Sequence, residues 1–309
     1  MRRRELLLAA AAGPLSARAV PAEVVRLLVA YPPGGVSDSG ARLLASLLSE
    51  RIHKQVIVEN HAGAGGVVAV QALSRAAPDG KTLCFAAISP LLYGPWVHGS
   101  NFELLRQVQP VIAVMDTPVL LLATPSFHVH TLAEVLSAAR AAPGSVRWGN
   151  SGLGTTGHRV MEALGRAAGV QFTDVPYKGG GQQLNDALSG QFEILSSNVA
   201  SLQLAYVQQG RLTAIAVGGP HRVPGLLTVP TLAELGFPQA NLVSTFGIFA
   251  PHGLAQAEVR RLNAVIQEVM ARPQWQHWLT LNSNLPADGS PEDFARRIEH
   301  ERGSAAVHP

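Results

Sequence analysis

With Cys84 as its single cysteine, the 309-residue chain cannot form an intrachain disulfide. That thiol lies in an apolar run over 83–88, where a buried core cysteine is expected rather than a reactive one. Charge is sparse, at 15% Asp, Glu, Lys and Arg, and aromatic residues make up only 6%. No internal stretch reaches the roughly 18 unbroken apolar residues that a membrane span requires. Metal-ligand spacing is missing too. Of 11 histidines only His128 and His130 lie close together, and no Cys or acid joins them. Neither a metal nor a cofactor is expected.

The formal charge of +3 is misleading. Arg2, Arg3 and Arg4 precede a short apolar run over 6–12, and Ala17-Arg18-Ala19 is an A-x-A cleavage pattern. This reads as a signal peptide over 1–19. Arg3-Arg4-Glu5-Leu6-Leu7 also fits a twin-arginine signal, so Sec and twin-arginine export both stay open. Loss of Arg2, Arg3, Arg4, Arg18 and Glu5 brings the 24 basic and 21 acidic residues into balance. The basic pI therefore belongs to the leader and gives no reason to expect nucleic-acid binding.

The remaining chain is 47% hydrophobic and long enough for two α/β domains. Short apolar strands alternate with amphipathic helices. Strands are expected at 24–30, 56–59 and 82–88, with helices from Ala41 to Ile52 and over 67–77. The alternation resumes with a helix at 132–141, a strand at 146–150, a helix at 158–168, a strand at 171–175 and a helix at 182–189. Strands at 192–196 and 212–217 and helices at 259–270 and from Pro291 complete the pattern. Such alternation implies a parallel sheet with helices on its faces.

Four strand ends run into glycine-rich turns that open helices, at 31–38, 59–66, 149–157 and 176–181. In a parallel sheet these turns share the carboxyl edge, where ligands bind. Helix N-termini present unpaired N–H groups and partial positive charge, and glycine lets the backbone come close. Each turn is thus a candidate anion site without a charged side chain. Glycine at such a turn also serves geometry alone, so the case rests on four occurring together. Ser37, Asn150, Thr155 and Thr156 add short polar side chains. Asp38 reads as the cap of the first helix, with general base as its catalytic alternative. Lys178 is open to two readings, a partner for a carboxylate or a solvated lysine.

One turn spells something else. Gly152-Leu153-Gly154-Thr155-Thr156-Gly157 matches G-x-G-x-x-G, follows a strand and opens a helix. Asp174 ends the next strand about 20 residues on, as in a dinucleotide fingerprint. The alternative is therefore an exported NAD(P)-dependent oxidoreductase. Against it, the preceding strand carries Arg147 and Trp148 where a buried parallel strand should be apolar. Ser151 lacks the last glycine of a nucleophile elbow, which leaves a hydrolase using Ser151 or Ser37 as a third, weaker class.

Taken in order, these motifs resemble the Bug family, the substrate-binding proteins of tripartite tricarboxylate transporters. Tyr31-Pro32-Pro33-Gly34-Gly35-Val36-Ser37-Asp38, Glu59-Asn60-His61-Ala62-Gly63-Ala64-Gly65-Gly66 and Pro78-Asp79-Gly80-Lys81-Thr82 carry the likeness. Gly149-Asn150-Ser151-Gly152-Leu153-Gly154, Val175-Pro176-Tyr177-Lys178-Gly179 and Phe246-Gly247-Ile248-Phe249-Ala250-Pro251 continue it. The resemblance implies an α/β, type II periplasmic binding-protein fold of two Rossmann-like lobes joined by two crossovers. Lobe 1 would hold 20–120 with 243–309, and lobe 2 would hold 121–242. It also implies a non-enzymatic, periplasmic protein, expected as a monomer, that captures a small carboxylate between its lobes for membrane transporter subunits or a sensor kinase. The ligand residues it implies are Gly34, Gly35, Ser37 and Asp38 on one side and Ser151, Gly152, Thr155 and Thr156 on the other. Ala64, Ser89, Lys178 and Asn198 would stand nearby. Family ligands include dicarboxylates, acidic amino acids, aromatic carboxylates and nicotinate-like compounds. The chain departs from the pattern at Ser197, where an acid is usual, at Thr245, where tryptophan is usual, across 94–107, and after Glu301.

Overall fold

The computed structural model describes residues 24–89, 91–93 and 104–306, without the side chains of 303–306. The expected export segment, positions 94–103 and the last three residues lie outside that set.

The first half-pattern folds as expected. β1 (Val24–Val29), β2 (Gln55–Asn60) and β3 (Thr82–Ala87) form a parallel sheet in the order β2-β1-β3. α1 (Val36–Ile52) buries Ala41, Leu44, Leu47 and Leu48 on one face and ends at His53 in the left-handed conformation. α2 (Val67–Ser74) covers the opposite face with Ala69, Val70 and Leu73. Cys84 is fully buried within β3, and burial pushes its thiol pKa well up.

A second parallel unit contains β5 (Arg147–Asn150), β6 (Thr173–Pro176) and β7 (Ile194–Asn198), in the order β7-β5-β6. α3 (Leu132–Ala141), α4 (Thr156–Ala168), α5 (Gly180–Leu188) and α6 (Ser201–Gln208) accompany it. β5 turns Arg147 to the exposed side, and its one buried polar side chain, Asn150, is hydrogen-bonded. Trp148 is buried and donates from Nε1 to Ser196 Oγ at 2.8 Å, whereas Arg147 turns outward to a bidentate pair with Glu193.

The sheet is mixed, not wholly parallel as the alternation implied. Two long strands explain why. β4 (Val108–Ala123) and β9 (Val243–Pro251) pair antiparallel with each other from Val108↔Pro251 to Pro118↔Val243, with two register shifts on the way. β9 then joins β3, while the far end of β4 is flanked by β7 and by β8 (Thr213–Gly218), all antiparallel. α7 (Gln256–Met270), α8 (Pro273–Leu281), β10 (Leu285–Pro286) and α9 (Pro291–Ala306) return to the first unit. β10 pairs with β4 at Asp116 and Met115.

Buried side chains sort the same way. Two core clusters draw on residues 27–115 and 246–298, and two on 119–240. On this division we assign lobe 1 to the residues before Pro118 and after Val243, and lobe 2 to those between. β4 and β9 are the two chain crossings. Phe294 of α9 seats over Gly247 at the centre of β9 and packs against Phe249 with ring centroids 5.3 Å apart. No helix among the described residues is long and apolar enough to cross a membrane.

Candidate ligand-binding cleft

The lobes face each other across a cavity of about 850 Å³. The 31–37 turn after β1 forms one lip, and Lys178 to Gly181 after β6 form the other, with Ser151 between them. A recess of about 20 Å³, the size of one water, continues inward past Tyr31, Ser151 and Asn198 to Thr155, Thr156 and Ser244. The lips touch in two places. A β-carbon on Gly179 would stand 2.4 Å from Pro32 Cδ, and one on Gly152 would stand 3.5 Å from Gly65 Cα. The first approach is open to glycine alone; the second is an ordinary van der Waals distance, and it is the positive φ of Gly152 that favours glycine there.

The residues singled out from the sequence take different places. Gly34, Gly35, Ser37, Ser151, Lys178 and Asn198 line the cleft, and Thr155 and Thr156 line the recess. Asp38 does not border either cavity. It is the third residue of α1, not its cap; Gly35 caps the helix with extended backbone. Its carboxylate accepts from Gly34 N–H at 3.1 Å, from Asn60 Nδ2 at 2.8 Å and from Arg42 Nε at 3.0 Å. Burial opposes its ionisation, but those donors together hold the carboxyl below its ordinary range. Asp38 therefore shapes the lip from behind. Ala64 is exposed, with positive φ, and Ala62 is the member of its turn that reaches the cleft. Ser89 stands behind the recess, hydrogen-bonded to Thr156 Oγ1 at 2.9 Å. Gly152 serves the lobe contact.

The helices that open on these cavities share one property. α1, α4, α5 and α6 all begin without a cap from their own N-cap side chain, and in α6 the first N–H is taken by Asn282 of the other lobe. Elsewhere the chain does supply caps: Thr131 and Glu134 form a reciprocal capping box on α3, and Ser290 and Asp293 do the same on α9. α2, α7 and α8 are uncapped as well, so a missing cap does not by itself mark the cleft; what sets α1, α4, α5 and α6 apart is that their termini open on these cavities. The first N–H groups of a helix have no partner within it, and a buried one needs a partner from elsewhere. Uncapped termini converging on a cleft with no acidic lining form a positive-potential pocket for an anion.

A buried network sets the inner loop. Asn150 Nδ2 donates to Asp174, and Asn150 Oδ1 accepts Gly152 N–H at 3.0 Å. Thr155 closes the turn, donating from Oγ1 to Gly152 O at 2.6 Å. The acid that completes the apparent dinucleotide fingerprint is thus engaged inside the loop it was expected to serve. Asp174→Ala should loosen the turn and weaken ligand binding about tenfold, the worth of roughly one hydrogen bond. Asp174→Asn, which keeps the accepting oxygen, should bind as the parent does. Calorimetric titration checks both, and parental affinity in the alanine variant would refute the role.

Behind the recess the lobes also meet through α9. Glu301 Oε1 accepts from Ser89 Oγ at 3.2 Å and lies 4.0 Å from Arg159 Nη1 on α4. The Arg159 guanidinium stacks 3.6 Å from the Tyr93 ring centroid. Glu301 is only 22% exposed; burial raises its pKa, against the pull of Arg159.

Sequence reading missed Tyr31 as a wall of both cavities, and Gln183, Gln203 and Asn282 as cleft side chains. Asn282 Oδ1 accepts Ser201 N–H at 3.2 Å from the other lobe. Tyr31 opens the 31–38 turn, whereas Gln183, Gln203 and Asn282 lie outside the glycine turns and no local signal marks them. Among the described residues, no group of three His, Cys, Asp or Glu could hold a metal.

Comparison with known proteins agrees with the geometry. Residues 40–305 match the model of the tripartite tricarboxylate transporter family receptor. Protein BugT of Bordetella pertussis is 33% identical over 261 residues, 84% of this chain and 80% of that one. The structure of R. palustris Rpa4515 with adipate superposes with a TM-score of 0.83 at 29% identity, covering 93% of this chain and 96% of that one. MatC from Rhodopseudomonas palustris with bound malate gives 0.84 at 25% identity, covering 92% and 98%. The fold is that of these periplasmic binding proteins, and the oxidoreductase alternative finds no support.

Proposed function

We propose that this chain, which belongs to the tripartite tricarboxylate transporter receptor family, is a periplasmic protein that closes its lobes on a small carboxylate. It is a solute-binding protein, and that role points away from catalysis. The observation that carries the carboxylate reading is the meeting of uncapped helix termini, α1 from lobe 1 and α4 from lobe 2, around Ser37, Ser151 and Thr156. Main-chain N–H groups and short hydroxyls are suited to hold a carboxylate without a salt bridge. The adipate and malate seen in similar proteins support the same class. Lys178 at the mouth adds long-range attraction for an anion. The closed form, as a monomer, would then be handed to a membrane transporter or read by a sensor kinase, the export signal being removed beforehand.

Thermal unfolding with and without short carboxylates tests this. At a hundredfold excess over Kd a ligand adds about 2.7 kcal/mol, a rise on the order of 5–10 °C in Tm. At least one aliphatic or aromatic carboxylate should produce it. Stabilisation by NAD(P) with none by any carboxylate would overturn the reading.

A further inference from the structure

Three contacts join the lobes behind the recess, away from the lips. Ser89 of lobe 1 is hydrogen-bonded to Thr156 of lobe 2 at 2.9 Å. Glu301 Oε1 of lobe 1 lies 4.0 Å from Arg159 Nη1 of lobe 2, and that guanidinium stacks on Tyr93 of lobe 1. Thr156 opens α4, and Arg159 follows three residues on, the neighbouring position on one helix face. The face that lobe 1 grips therefore begins at the terminus that lines the recess. Arg159 and Glu301 themselves stand outside both linings. On the lobe 1 side the grip is anchored. Arg297, one turn before Glu301 on α9, donates to Asp116 Oδ1 at 2.6 Å and to Thr245 Oγ1 at 2.7 Å. Asp116 and Thr245 are register partners on β4 and β9, the two chain crossings. Glu301 is thus fixed to the crossings and reaches α4 from there.

Resting on the carboxylate reading, we infer that Arg159 and Glu301 are positioning residues of the ligand site, an ion pair made across the lobes that holds the α4 terminus against lobe 1 without touching the ligand. The two side chains are 15% and 22% exposed, so each charge gives up much of its water when the lobes meet and relies on the other. Removing one partner strands the other as a buried charge. Glu301 has an escape that Arg159 lacks, because a carboxylate sheds its charge by taking up a proton. Tyr93, Glu162 and Arg166 surround Arg159, and Arg297 and Asp116 stand near Glu301. Burial raises the Glu301 pKa and Asp116 adds to the rise, against Arg159, Ser89 and Arg297. Parting the lobes hydrates the carboxyl again, so the closed form is the better proton binder. The affinity that Glu301 controls is full below its open-form pKa and is lost as pH rises through its closed-form pKa.

The test is calorimetric titration with malate, adipate, glutamate, benzoate and nicotinate over about pH 5.5 to 8. Arg159→Met should lower the affinity for the best-bound member about tenfold near neutrality and steepen its decline with rising pH. Adding Glu301→Gln to that variant should recover most of the loss and flatten the profile, a gain that a misfolded protein cannot give. Arg159→Lys, which keeps the charge, should keep the parental slope. Parental affinity and slope in Arg159→Met, or a loss that Glu301→Gln does not relieve, would overturn the inference while leaving the carboxylate reading intact. Binding of no member of the panel by the parent protein would overturn both.

Discussion

Replacing Gly179 by alanine is expected to lower ligand affinity at least tenfold and, because its φ of 156° and ψ of 174° suit glycine alone, to cost the unliganded fold about 1–3 kcal/mol of local backbone strain. The added β-carbon would meet Pro32 Cδ at 2.4 Å and Cγ at 2.6 Å, where carbon atoms need about 3.5–4.0 Å. Pro32 has no rotamer in which to retreat, since its ring is part of the backbone. The lobes must therefore part by about 1 Å at the lip. Each lobe keeps its core, because Gly179 caps α5 at the rim and the atoms in conflict belong to opposite lobes. Only the fraction of molecules that can close contributes to binding, so apparent affinity falls with that fraction. Small-angle scattering should register a more open envelope in the presence of saturating ligand. Unchanged Kd and an unchanged envelope would show that the glycine contact has no part in closure.

The second large effect is on stability. Gly247→Ala should destabilise the protein by about 3 kcal/mol, on the order of 10 °C in Tm. Its β-carbon would lie 2.1 Å from Phe294 Cζ, 2.5 Å from Cε1 and 2.9 Å from the backbone oxygen of Ile112. β9 is held by β3 on one side and β4 on the other and cannot yield, so α9 must move. The displacement propagates along α9 to Glu301 and its bond to Ser89. Shrinking the ring should restore part of the loss: Gly247→Ala with Phe294→Leu is expected to be more stable than the sum of the two single changes predicts. Strict additivity in chemical denaturation would mean that the two side chains do not conflict.

These effects bear on what a linear sequence discloses. The βα turns were legible because glycine, proline and a short polar residue mark them locally, and the flanking helices declare themselves by apolar spacing. β4 was not. Pro110 and Pro118 punctuate it, and Asp116 and Thr117 add polar residues in mid-strand. It is one 16-residue strand because its two halves serve different lobes, a fact of tertiary structure. β9 was hidden in the same way by Gly247, whose lack of a side chain only makes sense beneath Phe294. The crossovers were expected from family resemblance alone. In the cleft, the first-turn residues followed from local pattern, whereas Gln203 and Asn282 meet there only because α6 and the end of α8 are brought together from distant parts of the chain. Asp38 illustrates the opposite case: an acid beside a glycine turn looks like a ligand residue until Gly34, Asn60 and Arg42 are seen to occupy its oxygens.

The paired crossings, β4 and β9, also set the mechanics of the molecule. Side by side and hydrogen-bonded to each other, they make a ribbon rather than two independent strings. A ribbon flexes readily out of its plane and resists shear and stretching within it. Its register shifts, beside Pro110 and Ala113, interrupt the ladder within the lobe 1 half of β4. Lobe motion is thereby confined to one soft coordinate, and the gap between the lips becomes a nearly single-valued gauge of that coordinate. A pair of dyes placed one on each lip would report occupancy as distance, which makes this fold a transducer before any partner reads it.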